Sequence, residues 1–113
     1  MPPVVYVVRT NIDRELEAEF DRWYDEEHVP QHFEHPGIVR ARRFRFLDRE
    51  DEFDRVERYR FLALYEYESE AAYRDYVASD LRRRLVADHR SRFGEPQSAL
   101  EVAVQLSEWP PPR

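Results

Sequence analysis

The sequence predicts an α+β fold in the order strand, helix, strand, strand, helix, strand. This order gives a four-stranded antiparallel sheet with both helices on one face. Three observations predict it. Four runs are rich in β-branched and aromatic residues or alternate in polarity with a period of two. Two stretches of helical spacing follow the first and third of these runs. The chain has 113 residues, enough for one hydrophobic core and hardly for two.

The first strand is Val4-Val5-Tyr6-Val7-Val8, bounded by Pro3 and Arg9-Thr10-Asn11. A β-branched run of this kind reads as a central strand buried on both faces. Asn11 or Asp13 is placed to cap the next helix, and Glu15 and Glu17 suit its first turns. Leu16, Phe20, Trp23 and Tyr24 form its buried stripe, so the helix is expected from about Asp13 to His28. Pro30 disfavours a helical conformation for the residue before it and should end the helix. Gln31 to His35 then forms a connector, closed by Pro36-Gly37.

The second strand, Ile38 to Leu47, has two mixed faces, with Arg40, Arg42, Phe44 and Phe46 on one and Val39, Ala41, Arg43, Arg45 and Leu47 on the other. Asp48 to Glu57 is a charge run and reads as a solvated hairpin loop. The third strand, Arg58 to Glu68, places Tyr59, Phe61, Ala63, Tyr65 and Tyr67 on one face and Leu62 and Leu64 on the other. Ser69 caps the second helix, with Ala72, Tyr73, Tyr76 and Val77 as its stripe. Ser79-Asp80 re-caps a continuation carrying Leu81, Leu85 and Val86, which Phe93-Gly94-Glu95-Pro96 stops. The last strand, Ala99 to Glu108, sets Leu100, Val102, Val104 and Leu106 on one apolar face. Residues 1–109 are read as a single domain and 110–113 as a stiff Pro-rich tail.

Composition removes several function classes. Acidic residues number 24 against 18 basic ones, a net charge of −6, which argues against nucleic acid or an anionic membrane as partner. All the basic residues are Arg, which excludes lysine Schiff-base chemistry, and the absence of Cys excludes thiol nucleophiles and thiolate metal sites. With two Gly in the chain, a phosphate-cradling loop is not expected, nor nucleotide-dependent chemistry. Ser69, Ser79 and Ser91 sit in caps or turns without a nucleophile elbow. His28 and His32 have the i, i+4 spacing of helical metal ligands, but Pro30 between them is expected to break that geometry, and only His89 stands out as a third ligand. No metal, haem or other cofactor is therefore expected. Nothing resembles a signal peptide or a membrane span, so the expected location is the cytoplasm.

Either assignment of the sheet faces leaves apolar surface in need of cover. If Tyr59, Phe61, Tyr65 and Tyr67 lie on the helix-free side, that side carries a large aromatic patch. If they lie under the helices, Leu62 and Leu64 are left outside. A patch of either kind predicts a homodimer.

The chain is organised around Phe20 to Pro30, where Phe20, Trp23, Tyr24 and Glu27 share one helical face and His28 stands at the helix mouth. Trp23-Tyr24-Asp25-Glu26-Glu27-His28-Val29-Pro30, a short gap, then Pro36-Gly37-Ile38-Val39-Arg40-Ala41-Arg42-Arg43-Phe44 resembles the dimeric α/β-barrel superfamily. The resemblance is nearest to its EthD-like branch and to related uncharacterised domains with W-x-x-x-x-H-x-P followed by P-G. It implies a ferredoxin-like subunit that pairs with a second copy through its sheet. It also implies small-molecule chemistry, since relatives include cofactor-free monooxygenases, lactone isomerases, polyketide cyclases, decarboxylases and haem-using enzymes. A His at the end of the first helix is often implicated in that chemistry, and His28 holds the matching position.

His28 is thus the candidate general base or acid, with Tyr24 as a phenol to hold a developing enolate. The alternative is a helix-end His packed on Trp23. Arg43 is a candidate for two-point binding of a carboxylate or phenolate, or else the partner of an acidic side chain. Tyr59 and Tyr65, with Tyr67, either line a pocket for a planar ligand or serve dimer packing. The expected function is a cofactor-independent enzyme acting on a small organic molecule, of isomerase, cyclase, decarboxylase or monooxygenase type. The alternative is a non-catalytic small-ligand binder or structural homodimer.

Overall fold

Four strands, β1 (Val4–Asn11), β2 (Ile38–Arg45), β3 (Phe61–Tyr67) and β4 (Gln97–Val104), form one antiparallel sheet in the order β2-β3-β1-β4. This computed structural model describes residues 2–47 and 59–112; the charge run from Asp48 to Glu57 lies outside the described residues.

β1 is central, as its composition predicts, but among the described residues only one of its faces is covered by helices. Val4, Tyr6, Val8 and Thr10 are buried beneath the helices, and Val5, Val7 and Arg9 are half-buried on the free face. β3 repeats the alternation: Phe61, Ala63, Tyr65 and Tyr67 are buried, while Leu62 and Leu64 are half-buried. The pairing Tyr6 with Tyr65 and Val7 with Leu64 keeps like faces together. Of the two face assignments open from the sequence, the chain adopts the one with the aromatics under the helices. Burial of each large side chain is worth roughly 1.5–3 kcal/mol, and Phe20, Tyr65 and Tyr67 are essentially without exposure. A register shift between Ile38 and Arg40 is the departure from regular alternation in β2. It turns Ile38 toward the core and leaves Val39 exposed.

The first helical run departs from expectation. It begins as a 3₁₀ turn, Arg14–Leu16, continues as α1 (Glu17–Trp23), widens into a π-helical turn over Tyr24–His28, and resumes as α2 (Val29–His32). Pro30 does not stop it, because the Val29 N–H bonds back to the Tyr24 carbonyl, five residues away. The next turn therefore starts afresh with Pro30 in its first positions, where a missing N–H leaves no bond unmade.

α3 (Glu70–Val77) and α4 (Asp80–Phe93) begin where their serines predict. Ser69 Oγ accepts the Ala72 N–H at 3.1 Å and Ser79 Oγ the Arg82 N–H at 3.2 Å, each cap worth about 1 kcal/mol. Gly94, at φ 81°, ends α4. Gly37 serves packing instead. A Cβ there would lie 2.6 Å from the Ala72 Cβ of α3, so the lack of a side chain sets how closely α3 approaches the start of β2. The helices leave β4 partly uncovered, with Leu100, Val102 and Val104 about half exposed. Among the described residues no helix is long and apolar enough to cross a membrane.

Candidate functional site

Between the sheet and its helices lies a cavity of about 100 Å³. Its inner wall is made of buried residues: Tyr6, Val8 and Thr10 from β1, Tyr65 from β3, and Tyr24, His28, His32, Tyr76, Leu85 and His89 from the helices. Its rim is made of partly exposed ones: Arg82, Val86, Pro96, Ser98 and Leu100. For scale, an apolar cavity of ~150 Å³ admits benzene.

The π turn sets the histidines. It keeps Tyr24, His28 and His32 on the sheet-facing side despite Pro30, so the break in i, i+4 geometry expected from the sequence does not occur. The His28 and His32 rings meet edge to face at 4.8 Å. His28 stacks on Trp23 at 4.5 Å and meets Tyr24 edge-on at 4.7 Å. His32 lies flat on Tyr65 at 4.1 Å. His32 Nδ1 is 2.9 Å from the His28 carbonyl, which only accepts, so that nitrogen carries the proton. Nε2 of the neutral ring then accepts from the Tyr76 hydroxyl at 3.2 Å. His28 differs: among the described residues its buried Nδ1 has no hydrogen-bond partner, and the buried Tyr65 hydroxyl on the same cavity makes no well-formed hydrogen bond although it approaches the Tyr24 hydroxyl.

The cavity is electrostatically quiet. Burial, and then the neighbouring His32, His89 and Arg43, push His28 down to about 2. Burial takes His32 down to about 4, against the His28 carbonyl, which raises it. Burial also lowers His89. All three are neutral imidazoles at physiological pH. Burial raises the Tyr24 and Tyr65 phenols, which stay protonated.

Of the candidates singled out from sequence, His28, Tyr24 and Tyr65 line this cavity together. Trp23 supports them from behind, as the plate on which His28 stacks. Arg43 points elsewhere: it pairs with Asp21 at 2.8 Å and Asp25 at 2.9 Å and covers the Tyr24 ring at 4.6 Å. It borders a separate hollow with Asp21, Asp25 and Phe61, so the acidic-partner alternative describes it. Tyr59 is half-buried just before β3 and is not among the cavity's lining residues. Tyr67 packs under α3 against Tyr73 and Tyr76.

From the sequence His89 stands out only as a third metal ligand, and neither it nor Arg82 is placed at the cavity, although the spacing Arg82, Leu85, Val86, His89 is i, i+3, i+4, i+7 along α4. The Arg82-Arg83-Arg84 run reads as a solvated face. In the structure Arg83 and Arg84 are exposed but Arg82 is half-buried at the cavity rim. His35 was also missed as a tie. Its Nδ1 accepts the Gly37 N–H at 3.0 Å, so its Nε2–H donates to Asp75 of α3 at 2.7 Å.

Across residues 3–105 the sequence matches the family described as "Domain of unknown function (DUF4286)". The chain belongs to that family. A search of curated protein sequences finds no significant match. This DUF4286 chain is similar in structure to an EthD (ethyl tert-butyl ether D) family protein from Bacillus halodurans C-125, with 14% identity, a TM-score of 0.70, and 94% of this chain and 100% of that chain covered. It is also similar to SnoaB, a cofactor-independent oxygenase from Streptomyces nogalater, with 18% identity, a TM-score of 0.62 and coverage of 97% and 99%. A third similar structure is a dimeric ferredoxin-like protein of unknown function from Jannaschia sp. CCS1, with 17% identity, a TM-score of 0.62 and coverage of 89% and 97%. The DUF4286 fold here is thus ferredoxin-like and similar to that of the EthD family protein, as the Trp23-to-Pro30 and Pro36-Gly37 resemblance implied for the fold. Likeness at these identities carries fold and not activity.

Proposed function

We propose that this protein is a homodimeric, cofactor-independent enzyme acting on a small organic molecule, with His28 as its acid/base group. One observation carries the reading: a buried imidazole, neutral and with Nδ1 unpartnered among the described residues, borders a cavity of about 100 Å³ that opens at its rim, beside the Tyr65 hydroxyl. Buried polar atoms without partners are rare, because each costs stability, and a ligand oxygen would satisfy both. A substrate that gives up a proton to His28 becomes an anion beside a new imidazolium. That opposite charge offsets the burial that holds the empty site's imidazole at low basicity. Tyr24 and Tyr65, as protonated phenols, supply hydrogen bonds to the developing oxyanion, and Trp23 holds the His28 ring in place.

The low basicity of His28 favours a second reading, a small-ligand binder in which His28 only hydrogen-bonds. The two separate on one experiment. Small ring compounds with an acidic C–H beside a carbonyl are incubated in D₂O and exchange at that carbon is followed by NMR. The enzyme reading expects protein-catalysed exchange that His28→Gln abolishes while melting temperature is kept. Binding without exchange in the wild type leaves the binder.

The dimer is supported by the sheet's free face, where Val5, Val7, Leu62 and Leu64 are only half-buried and no helix among the described residues packs on them, and by the dimeric neighbour of the same fold. Light scattering should give twice the 13.8 kDa subunit mass, and Leu64→Glu should return the protein to one subunit.

A further inference from the structure

The cavity is charged at one place only, and that place selects the ligand. Every side chain of its inner wall is uncharged at neutral pH, and among the described residues no carboxylate lines it. At the rim stands Arg82. Its neighbours are engaged: Arg83 pairs with Asp80 and Arg84 with Glu34 at 2.7 Å. Arg82 has no carboxylate partner among the described residues. Its guanidinium instead approaches the Tyr6 phenol at the cavity wall, and it lines the cavity with Leu85 and Val86, one turn further along α4. The buried wall of the same cavity includes His28, whose Nδ1 has no partner among the described residues, and Tyr65, whose hydroxyl makes no well-formed hydrogen bond.

The geometry points to a small planar monoanion as the ligand: a ring bearing one carboxylate, held by Arg82 at the rim, with a neutral oxygen directed inward to His28 and Tyr65. The arrangement suits each part of such a molecule. The carboxylate stays at the partly exposed rim, where it keeps some hydration and gains a guanidinium that no protein carboxylate occupies. The ring replaces contact with water by contact with Leu85, Val86 and Tyr65. The inner oxygen supplies the missing partners. A cationic ligand finds Arg82 in its way and no carboxylate to receive it. This assignment rests on the reading of the cavity as a small-molecule site and adds the charge of what enters it.

The test uses 4-hydroxybenzoate and its uncharged analogue 4-hydroxybenzamide, titrated calorimetrically at neutral pH and low salt into wild type, R82Q and R82K. Wild type should bind the acid about 10- to 100-fold more tightly than the amide, the range expected for one charge-assisted pair. R82Q should lose that preference while binding the amide unchanged, which also reports that the variant is folded, and R82K should recover part of it. Equal affinity for acid and amide in wild type, or a preference that survives in R82Q, overturns the assignment to Arg82 and leaves the small-molecule site standing. Binding of neither compound to the wild type, with intact melting, counts against both.

Discussion

His28 and the pair His32 and His35 stand close together in the chain and are treated in opposite ways. His32 has both ring nitrogens engaged, one on the His28 carbonyl and one on the Tyr76 hydroxyl. His35 has both engaged as well, on the Gly37 N–H and on Asp75. Each is thereby fixed in one tautomer, and each joins the first helical run to α3. His28 is buried as well, yet among the described residues its Nδ1 has no partner. The difference separates two histidines tied into the fold by both nitrogens from one that borders the cavity with a nitrogen unbonded. A buried group left unpaired costs about 1–3 kcal/mol, and the chain bears that cost at the histidine bordering the cavity while satisfying the other two.

That contrast can be broken most forcefully at His32. His32→Ala removes a ring stacked on Tyr65 and leaves the Tyr76 hydroxyl without its acceptor, so urea unfolding should show a loss of about 2–4 kcal/mol. His28→Ala should cost less, about 1–2 kcal/mol, because the deleted ring opens onto space that already exists and takes an unpaired atom with it. An equal or larger loss at His28 would erase the distinction. Gly37→Ala, which drives a Cβ into Ala72, should cost about 1–3 kcal/mol through strain between β2 and α3, with the cavity's ligand affinity retained.

Acid sharpens the contrast further. The folded pKa values of His28 and His32, about 2 and about 4, lie below the ordinary 6.5, so between those values the unfolded chain binds protons that the folded one does not. Stability is therefore full above about pH 6.5 and falls as pH drops toward 4, by up to ~1.4 kcal/mol per pH unit for each histidine. Below 4 the slope from His32 ends and that from His28 continues. His28→Gln should flatten the decline without touching stability at pH 8, as urea titrations at stepped pH would show. The smallest effect belongs to Arg83, exposed and paired only with Asp80: Arg83→Ala should stay within about 0.5 kcal/mol and leave ligand preference unaltered, unlike Arg82→Gln.

What the sequence made legible follows from how local each signal is. The caps at Ser69 and Ser79 were readable because a hydroxyl and an N–H three residues on settle the geometry alone. The alternation in β3 was readable, but the covered side was not, since helices distant in sequence decide it; β1, a β-branched run, read as covered on both faces for the same reason. Pro30 misled because its effect was taken one residue at a time, whereas the π turn redistributes the bonds of five. Arg82 was hidden by its own neighbours: three consecutive arginines read as one surface, although only the first falls in line with Leu85 and His89. Arg43 shows the reverse case, a residue whose chemistry invited a role in binding and whose charge Asp21 and Asp25 already use.

The wide turn over Tyr24–His28 has a consequence for how the gene can vary. It holds one residue more than an ordinary helical turn, so removing one codon from that stretch would let the helix close with nearly the same rise and rotation, and His32 would keep its place against Tyr65 and Tyr76. Pro30 would then fall in the helix interior, where its missing N–H and its ring cost about 3 kcal/mol or more. The five-residue loop of hydrogen bonds is thus what makes room for the proline, and the deletion should be tolerated only together with Pro30→Ala.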